Sequence, residues 1–353
     1  MKKLLTVLLM CAVSAGLYAE FEVSLGVEVD FGASLFLDPD EKEEPEWYYN
    51  ILNPGTYIKG AYEGNNISSW IMLAGTAWSD NGIIDLTADA TVSINDFNLS
   101  IGRDWMPWSR WSSMDFWADN NWDFGASGAK DIYIKASFMD IYLGINEAGL
   151  VTEAKSGDQS SPGFFAGYDY EQEDVFALGI AFAGVPRTKR SLTEDYGDEV
   201  DKGKFPFMAN IYGSLDNIGP ASLGLNLSFY GSPAHAENLF CIAQGRIADI
   251  VAGPEALVLE AMLDVGIDLE PVFLGFSAAL VSNFKGQEDI NEDPAKSFAM
   301  QLGFNAIIDI GNTGFSILPG LFYWNKFMVH GVSSKQSGLD LGITFKYSFK
   351  KDI

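Results

Sequence analysis

Residues 21–31 read FEVSLGVEVDF, and every second residue in this stretch is apolar. The residues between the apolar ones are Glu22, Ser24, Gly26, Glu28 and Asp30. A period of two places the apolar side chains on one face of a β-strand and the polar side chains on the other. The same alternation recurs over residues 84–95, 257–269 and 339–349. The sequence therefore predicts strands that each have one apolar and one polar face.

The alternating segments are longer than the five or six residues of an average soluble strand, and they match a tilted crossing of a lipid bilayer. Seventeen segments can be counted: 20–31, 55–64, 67–78, 82–95, 96–103, 130–138, 139–146, 163–171, 174–183, 205–214, 219–230, 238–248, 255–269, 271–283, 297–309, 314–325 and 338–349. Bacterial single-chain barrels use even numbers of strands. Counting inward from the two termini gives conflicting strand directions between residues 231 and 255, so we expect one miscounted segment there. We predict an all-β fold, a transmembrane antiparallel β-barrel of 16 strands, with 18 strands as the alternative.

Long connections, glycines and aromatic residues add detail to the predicted barrel. The long connections fall on one side, which we take as the outer side, at 38–54, 104–129, 147–162, 184–204, 284–296 and 326–337. Glycines on the polar register are expected to face the lumen and let the sheet bend: Gly26, Gly144, Gly224, Gly266 and Gly342. Aromatic residues near strand ends are expected to form girdles at the bilayer surfaces: Trp70, Trp78, Phe229, Tyr230, Tyr323, Trp324, Tyr347 and Phe349.

The N-terminus has the anatomy of a secretory signal peptide. Lys2 and Lys3 precede an apolar run over residues 4–13, which is too short to span a bilayer as a helix. We predict cleavage after Ala19, with cleavage after Gly16 as an alternative, and a single barrel domain over residues 20–353. Removing residues 1–19 takes two lysines from the 22 basic residues, so that 20 basic and 48 acidic side chains give a net charge of −28. This charge argues against a nucleic-acid partner.

The signal peptide, the amphipathic hairpins and the aromatic end over residues 345–349 together resemble the outer-membrane porins of Gram-negative and spirochaete bacteria. The local match is Ile101-Gly102-Arg103 at the end of the fifth predicted strand, which a long loop follows. In sixteen-stranded porins the loop after the fifth strand folds into the barrel and narrows it. The resemblance therefore implies a water-filled channel for passive diffusion of small solutes, with residues 104–129 as an inward constriction loop.

The predicted lumen face is strongly acidic. It carries twelve acids: Glu22, Glu28, Asp30, Glu63, Asp85, Asp89, Asp131, Asp140, Glu260, Asp264, Asp268 and Asp340. Four bases share that face: Lys59, Lys135, Arg246 and Lys346. So many like charges require water around them, because unpaired buried carboxylates are costly. We therefore expect an aqueous channel that prefers cations, since the summed field attracts counter-ions.

Two groups of residues are candidates for the site. The pore wall is predicted to include Lys59, Glu63, Asp85, Asp89, Arg103, Asp131, Lys135, Arg246, Glu260 and Asp264. Arg103 falls on the lipid register by strict alternation, so its place in the wall requires the strand to end before it. The constriction loop holds five of the nine tryptophans, and its candidates are Asp104, Trp105, Trp108, Arg110, Trp111, Asp115, Trp117, Asp119, Trp122 and Asp123. These indoles either belong to the aromatic girdle, fill the loop's own small core or stack on sugar rings.

Other classes of function remain open as alternatives. One is a surface adhesin or binding barrel, and another is a saccharide-specific channel. An enzyme is not expected, because neither His235 nor His330 lies beside a Ser or Asp pattern that resembles a nucleophile with its base. No motif predicts a cofactor, and no Cys/His spacing predicts a metal site. The spacing of Asp289, Asn291 and Asp293 hints at calcium but lacks the Gly and the distal Glu of a full calcium loop. The expected partners are outer-membrane lipid and small hydrophilic solutes or ions, with a monomer or a homotrimer as the assembly.

Overall fold

The structure is a computed structural model of the whole chain. It describes residues 20–37, 45–50, 56–75, 84–106, 130–147, 162–173, 175–186, 205–231, 257–284, 297–328 and 336–352. Nearly all of these residues lie in β-strands, and one short 3-10 turn covers Gly311–Thr313. Within these ranges no helix is long and apolar enough to cross a membrane.

The described residues form seventeen β-strands in one antiparallel sheet. Their bounds are β1 Glu20–Phe36, β2 Glu46–Asn50, β3 Tyr57–Glu63, β4 Ile67–Gly75, β5 Ile84–Ile94, β6 Phe97–Trp105, β7 Lys130–Phe138, β8 Ile141–Asn146, β9 Gly163–Gln172, β10 Phe176–Gly184, β11 Phe207–Ile218, β12 Ala221–Gly231, β13 Leu257–Asp268, β14 Val272–Asn283, β15 Ser297–Asp309, β16 Phe315–Met328 and β17 Gln336–Asp352.

The sheet closes into a barrel because its first and last strands pair with each other. Fifteen consecutive residues of β1, from Glu22 to Phe36, pair with β17. The other edge of β1 pairs with β2 along its second half and with β3 along its first half. Strands β2 and β3 therefore occupy one position in the wall, and the barrel has the predicted 16 strands. The predicted connection over 38–54 was wrong in part, since it contains β2.

The side chain of Thr56 joins the two halves of this divided strand to β1. Its hydroxyl accepts a hydrogen bond from the backbone N–H of Glu28 at 3.0 Å and lies 3.2 Å from the carbonyl oxygen of the same residue, to which it donates. One hydroxyl thus serves as both donor and acceptor toward Glu28, a role that the N–H and C=O of a strand residue have in a continuous β-sheet.

The period-two pattern places the side chains as expected. Along β1, Phe21, Leu25, Val27 and Phe31 are exposed on the outer surface, whereas the polar residues between them turn inward and are mostly buried. Because paired residues face the same side, the register carries this assignment from strand to strand around the barrel. The five predicted lumen glycines all lie on the inward register.

Tight turns lie at one end of the barrel. They join β3–β4, β5–β6, β7–β8, β9–β10, β11–β12, β13–β14 and β15–β16. In the β5–β6 turn, Asn95 has a φ of 53°, a left-handed conformation that Asn tolerates in two-residue hairpins. Both chain ends of the barrel also lie at this turn end, because Glu22 pairs with Asp352. The longer connections all join strands at the opposite end, here called the loop end.

The strand predicted over 238–248 is the miscounted one. Strands β12 and β13 are hydrogen-bonded neighbours along eleven residue pairs, so no strand lies between them in the wall. Residues 232–256 lie outside the described part of the chain. The prediction failed there because the local pattern of a short apolar run does not distinguish a strand of the barrel wall from other structure.

The predicted aromatic girdle was wrong for three residues. The register places Trp70, Tyr230 and Trp324 on the inward face. Trp324 is 2% exposed, and its ring packs edge-on against Phe36 at 6.0 Å between centroids. A Cβ on Gly338 would overlap this indole, so the glycine makes room for it. Trp78 lies outside the described residues.

Candidate functional site: the barrel lumen

The inward face of the described strands is rich in carboxylates. Its acids include Glu22, Glu28, Asp30, Glu63, Asp85, Asp89, Asp104, Asp131, Asp169, Glu171, Glu260, Asp264, Asp268 and Asp340. Its bases include Lys59, Lys135, Lys326, Lys346 and Lys350. The inward face of these strands therefore carries far more negative than positive charge.

Within the described residues, three of these acids are paired with basic side chains. Arg103 donates to Asp85 and also to the carbonyl oxygen of Leu86. Lys350 Nζ lies 2.6 Å from an oxygen of Glu22. Lys346 Nζ lies 4.0 Å from Oε2 of Glu28, which is 1% exposed. Each pair forms a dipole, and its net field at a distance is small.

Other acids accept hydrogen bonds from hydroxyl groups. Tyr133 donates to Asp89 at 2.6 Å, and Tyr212 donates to Asp169 at 2.6 Å. The remaining hydroxyl-held acids are Asp30 with Thr344, Glu260 with Tyr230 and Asp264 with Ser277. These hydrogen bonds fix the positions of the carboxylates on the inward face.

Two of these contacts share one geometry. Gly102 of β6 pairs with Asp89 on one side and with Tyr133 on the other. The same row of acid, glycine and tyrosine recurs where Gly179 of β10 lies between Asp169 and Tyr212. A Cβ on Gly179 would overlap the Tyr212 ring, so the missing side chain lets each phenol reach an acid two strands away.

A cavity of about 500 Å³ opens on the inward face of β9–β13 near the turn end. Four carboxylates line it, those of Asp169, Glu171, Asp216 and Asp264, together with the phenol of Tyr212. Among the described residues that line this cavity, none is Lys, Arg or His. The cavity is therefore a water-accessible region of concentrated negative charge.

The structure places most of the predicted wall residues on the inward face. These are Lys59, Glu63, Asp85, Asp89, Asp131, Lys135, Glu260 and Asp264. Lys59 Nζ lies 4.9 Å from the ring centroid of Trp70, a cation–π contact. Asp140, counted among the lumen acids, instead lies in the exposed β7–β8 turn. Arg246 lies outside the described residues.

The predicted loop begins later than expected. Strand β6 continues to Trp105, so Asp104 and Trp105 belong to the wall, where Asp104 pairs with Asp131. Because β6 does not end before Arg103, this residue stays on the outward register opposite Ala88, and its guanidinium reaches back to Asp85. The other loop candidates lie outside the described residues: Trp108, Arg110, Trp111, Asp115, Trp117, Asp119, Trp122 and Asp123.

Met106, the residue after β6, is packed inside the barrel. It is 1% exposed and belongs to a buried cluster that includes Tyr133, Tyr142 and Phe165. Its sulfur accepts a hydrogen bond from Asn146 Nδ2 at 3.8 Å. The chain that leaves β6 therefore starts along the inner wall.

The sequence prediction missed Asp169, Glu171 and Asp216. Strand β9 did not look amphipathic, because Phe165 faces inward on the same register as the two acids. The alternation of Tyr168 and Tyr170 with Asp169 and Glu171 was the available signal. Within the described residues, no group of three or more His, Cys, Asp or Glu side chains is placed to hold a metal ion.

Comparison with solved structures identifies the architecture. The outer membrane channel DcaP of Acinetobacter baumannii superposes with a TM-score of 0.66 at 13% identity, covering 94% of this chain and 97% of that chain. The chain has the fold of an outer-membrane porin. An anion-selective porin from Comamonas acidovorans gives a TM-score of 0.58 at 13% identity over 94% and 100% of the two chains.

A third similar structure is OmpT, an outer membrane protein of Vibrio cholerae, in its trimer form, with a TM-score of 0.50 at 11% identity over 94% of this chain and 99% of that chain. No family model matches the sequence, and no curated protein sequence matches it. The likeness to porins is therefore a likeness of fold, carried by the closed sixteen-strand sheet and not by sequence identity.

Proposed function

We propose that this protein is an outer-membrane porin, a water-filled channel for passive diffusion of small hydrophilic solutes. The observation that supports this proposal is a closed sixteen-strand barrel with an apolar outer face and an acidic inner face. Barrels of this size leave an aqueous lumen, whereas eight-stranded barrels fill theirs with side chains. Residues 1–19 would serve as the cleaved signal peptide, and the outer membrane would be the location. This role is that of a channel and not of an enzyme.

Single-channel recording in planar bilayers tests the channel role. Purified protein added to one side of a bilayer should give stepwise increases in current. A folded barrel that gives no conductance would contradict the proposal and favour a surface adhesin or binding barrel.

The partners in this proposal are outer-membrane lipid and small solutes or ions. A homotrimer is the proposed assembly, by analogy with the trimer form of OmpT from Vibrio cholerae, and analytical ultracentrifugation in detergent tests it.

We further propose that the channel prefers cations. The cavity near the turn end supports this, because four carboxylates line it and its described lining carries no base. The fold does not decide ion preference, since one porin with this fold is anion-selective. The local charge decides it, because a negative field in a narrow aqueous path concentrates cations and repels anions.

Reversal potentials across a KCl gradient test the cation preference. The double variant Asp169→Asn/Asp264→Asn should lower the cation-to-anion permeability ratio, because it removes two charges from the cavity lining. Asp96→Asn is the matched control, since Asp96 is exposed in the β5–β6 turn. Anion selectivity of the unaltered protein would overturn the proposal.

Residues 104–129 are proposed to narrow the channel, with Asp104 and Trp105 contributed by the end of β6. The inward packing of Met106 supports this, because it starts the chain along the lumen wall. In this proposal the loop acids Asp115, Asp119 and Asp123 lie near the wall bases Lys59 and Lys135, and Asp104 contributes its charge from the end of β6 in the wall itself. Deleting residues 107–122 should raise single-channel conductance. Unchanged conductance in a correctly folded deletion variant would place the loop outside the pore.

A further inference from the structure

Gly179 of β10 makes room for a tyrosine on the inward face of the next strand. A Cβ at this position would overlap Tyr212 of β11, and the three atoms nearest to that Cβ all belong to the Tyr212 phenol. Gly179 is buried, whereas Tyr212 is half-buried and lines the cavity near the turn end. The phenol therefore lies against the wall over the glycine backbone.

From this position Tyr212 reaches a carboxylate that is two strands away. Its hydroxyl donates a hydrogen bond to Oδ1 of Asp169 on β9 at 2.6 Å. The two residues are not direct register partners, because each of them pairs with Gly179, which lies between them. Any side chain at Gly179 would occupy the space that the phenol crosses. The contact therefore requires a glycine at this position.

The hydrogen bond limits where the Asp169 carboxylate can lie. Asp169 is half-buried and borders the open cavity, so more than one staggered χ1 rotamer is sterically available to it. A hydroxyl donor at 2.6 Å favours the rotamer that keeps the carboxylate beside the phenol. A change of χ1 rotamer would move the carboxylate oxygens by about 3 Å. Tyr212 therefore sets the position of this negative charge.

The position of a carboxylate in this cavity affects ion selectivity. Asp169 is one of the four carboxylates that line the cavity, and its described lining carries no base. The attraction between a charge and an ion falls with their separation. Moving a unit charge in water from about 6 Å to about 9 Å from the ion path lowers the local concentration of a monovalent cation roughly 1.5-fold. A shift of about 3 Å in one carboxylate is therefore large enough to measure as a change in selectivity.

We propose that Tyr212 is a positioning residue for ion selectivity, and that Gly179 is required because it makes room for the phenol. Tyr212 itself adds no charge to the cavity. It acts through Asp169, whose carboxylate it keeps in the conformation that lines the cavity. This inference rests on the cation preference proposed above. It adds two uncharged residues to the acids that a charge count alone identifies as determinants of selectivity.

A double-mutant cycle on reversal potentials across a KCl gradient tests this role. Tyr212→Phe removes the hydroxyl and keeps the ring, so it should lower the cation-to-anion permeability ratio roughly 1.5-fold. In the Asp169→Asn background the same substitution should have no further effect, because the charge that it positions is absent.

Tyr133→Phe is the matched control for this cycle. Tyr133 also donates at 2.6 Å to an acid across a glycine, in this case Asp89. Asp89 is not among the residues that line the cavity, and it also accepts a hydrogen bond from Thr91 at 2.8 Å. The effect of Tyr133→Phe on the permeability ratio should therefore be the same with and without Asp169→Asn.

The outcomes separate the positioning role from the cation preference. Anion selectivity of the unaltered protein would refute the cation preference itself. A permeability ratio that falls in Asp169→Asn but not in Tyr212→Phe would refute only the positioning role, and so would a Tyr212→Phe effect that is equal in both backgrounds. If Tyr212→Phe does not fold, Asp169→Glu decides, because it keeps the charge and moves the carboxylate by one methylene group. Asp169→Glu should also lower the ratio, and an unchanged ratio would refute the positioning role.

Discussion

Two adjacent residues of β7 allow a direct test of which face contacts lipid. Ile134 is the fifth of nine residues in the strand, is 45% exposed on the outer face, and pairs with Ile101 and Ile145 on the neighbouring strands. Lys135 faces the lumen, and its Nζ lies 5.8 Å from the ring centroid of Tyr133. Moving the ammonium group by one residue therefore moves it from water to the lipid side of the wall.

The expected loss of stability follows from this placement. A Lys at mid-depth on the lipid face costs about 2 to 4 kcal/mol, so Ile134→Lys should lower the free energy of unfolding by that amount. Lys135→Ile removes one cation–π contact, which is worth about 0.5 to 1 kcal/mol at a solvated site. The swapped variant Ile134→Lys/Lys135→Ile has the composition and net charge of the natural chain. We expect it to lose about as much as Ile134→Lys alone, about 2 to 4 kcal/mol.

Urea unfolding of the barrel from phospholipid vesicles measures these differences, with tryptophan fluorescence and the heat-dependent gel shift as independent readouts. All variants should be measured in one lipid, because the cost depends on depth in the bilayer. Equal losses for Ile134→Lys and Lys135→Ile, within about 0.5 kcal/mol, would refute the assignment of faces. A loss in the swapped variant no larger than in Lys135→Ile alone would refute it as well.

Three further outcomes follow from the structure. Gly179→Ala should lower the free energy of unfolding by about 1 to 3 kcal/mol, because a Cβ there overlaps the Tyr212 ring. Gly213→Ala is the control and should be close to neutral in the same urea assay, because its Cβ would lie 3.5 Å from its nearest neighbour, the carbonyl oxygen of Ala177. Thr56→Val should cost about 1 to 3 kcal/mol, since it leaves the backbone N–H and C=O of Glu28 without the hydroxyl, and Thr56→Ser should restore most of the loss. Cation selectivity measured by reversal potential should fall as salt rises from 0.1 M to 1 M, because the Debye length shrinks from about 10 Å to about 3 Å; selectivity independent of salt would contradict a field-based origin.

The fold could be predicted because its main signal is local. In residues 21–31 each side chain faces the side that its period-two position assigns, and this alternation alone separates the outer from the inner surface. The even strand number of barrels then corrected the count to sixteen, and the pairing of β12 with β13 removes the segment over 238–248. The divided second strand was not predictable, because the Thr56 hydroxyl, and not an uninterrupted strand pattern, contacts β1 at Glu28, between the parts of β1 that pair with β2 and β3.

The details of the lumen depend on register, which a single sequence does not contain. Trp324 and Trp70 were assigned to a girdle because they lie near strand ends, yet the pairing turns both inward. Gly179 gives no local sign that Asp169 and Tyr212 lie on either side of it. Such rows arise only when strands that are distant in sequence pair in one register, so they follow from the closed sheet and not from the alternation within any one strand.

The field inside the proposed channel depends on what holds each carboxylate, and not only on how many carboxylates there are. Asp85 is paired with Arg103, so this pair contributes a dipole whose field falls off quickly. Tyrosine hydroxyls fix the positions of the Asp89 and Asp169 carboxylates. Asp169 also lines the cavity near the turn end, together with Glu171, Asp216 and Asp264. Because four carboxylates meet there, we expect this cavity to attract cations more strongly than the Asp85–Arg103 pair does.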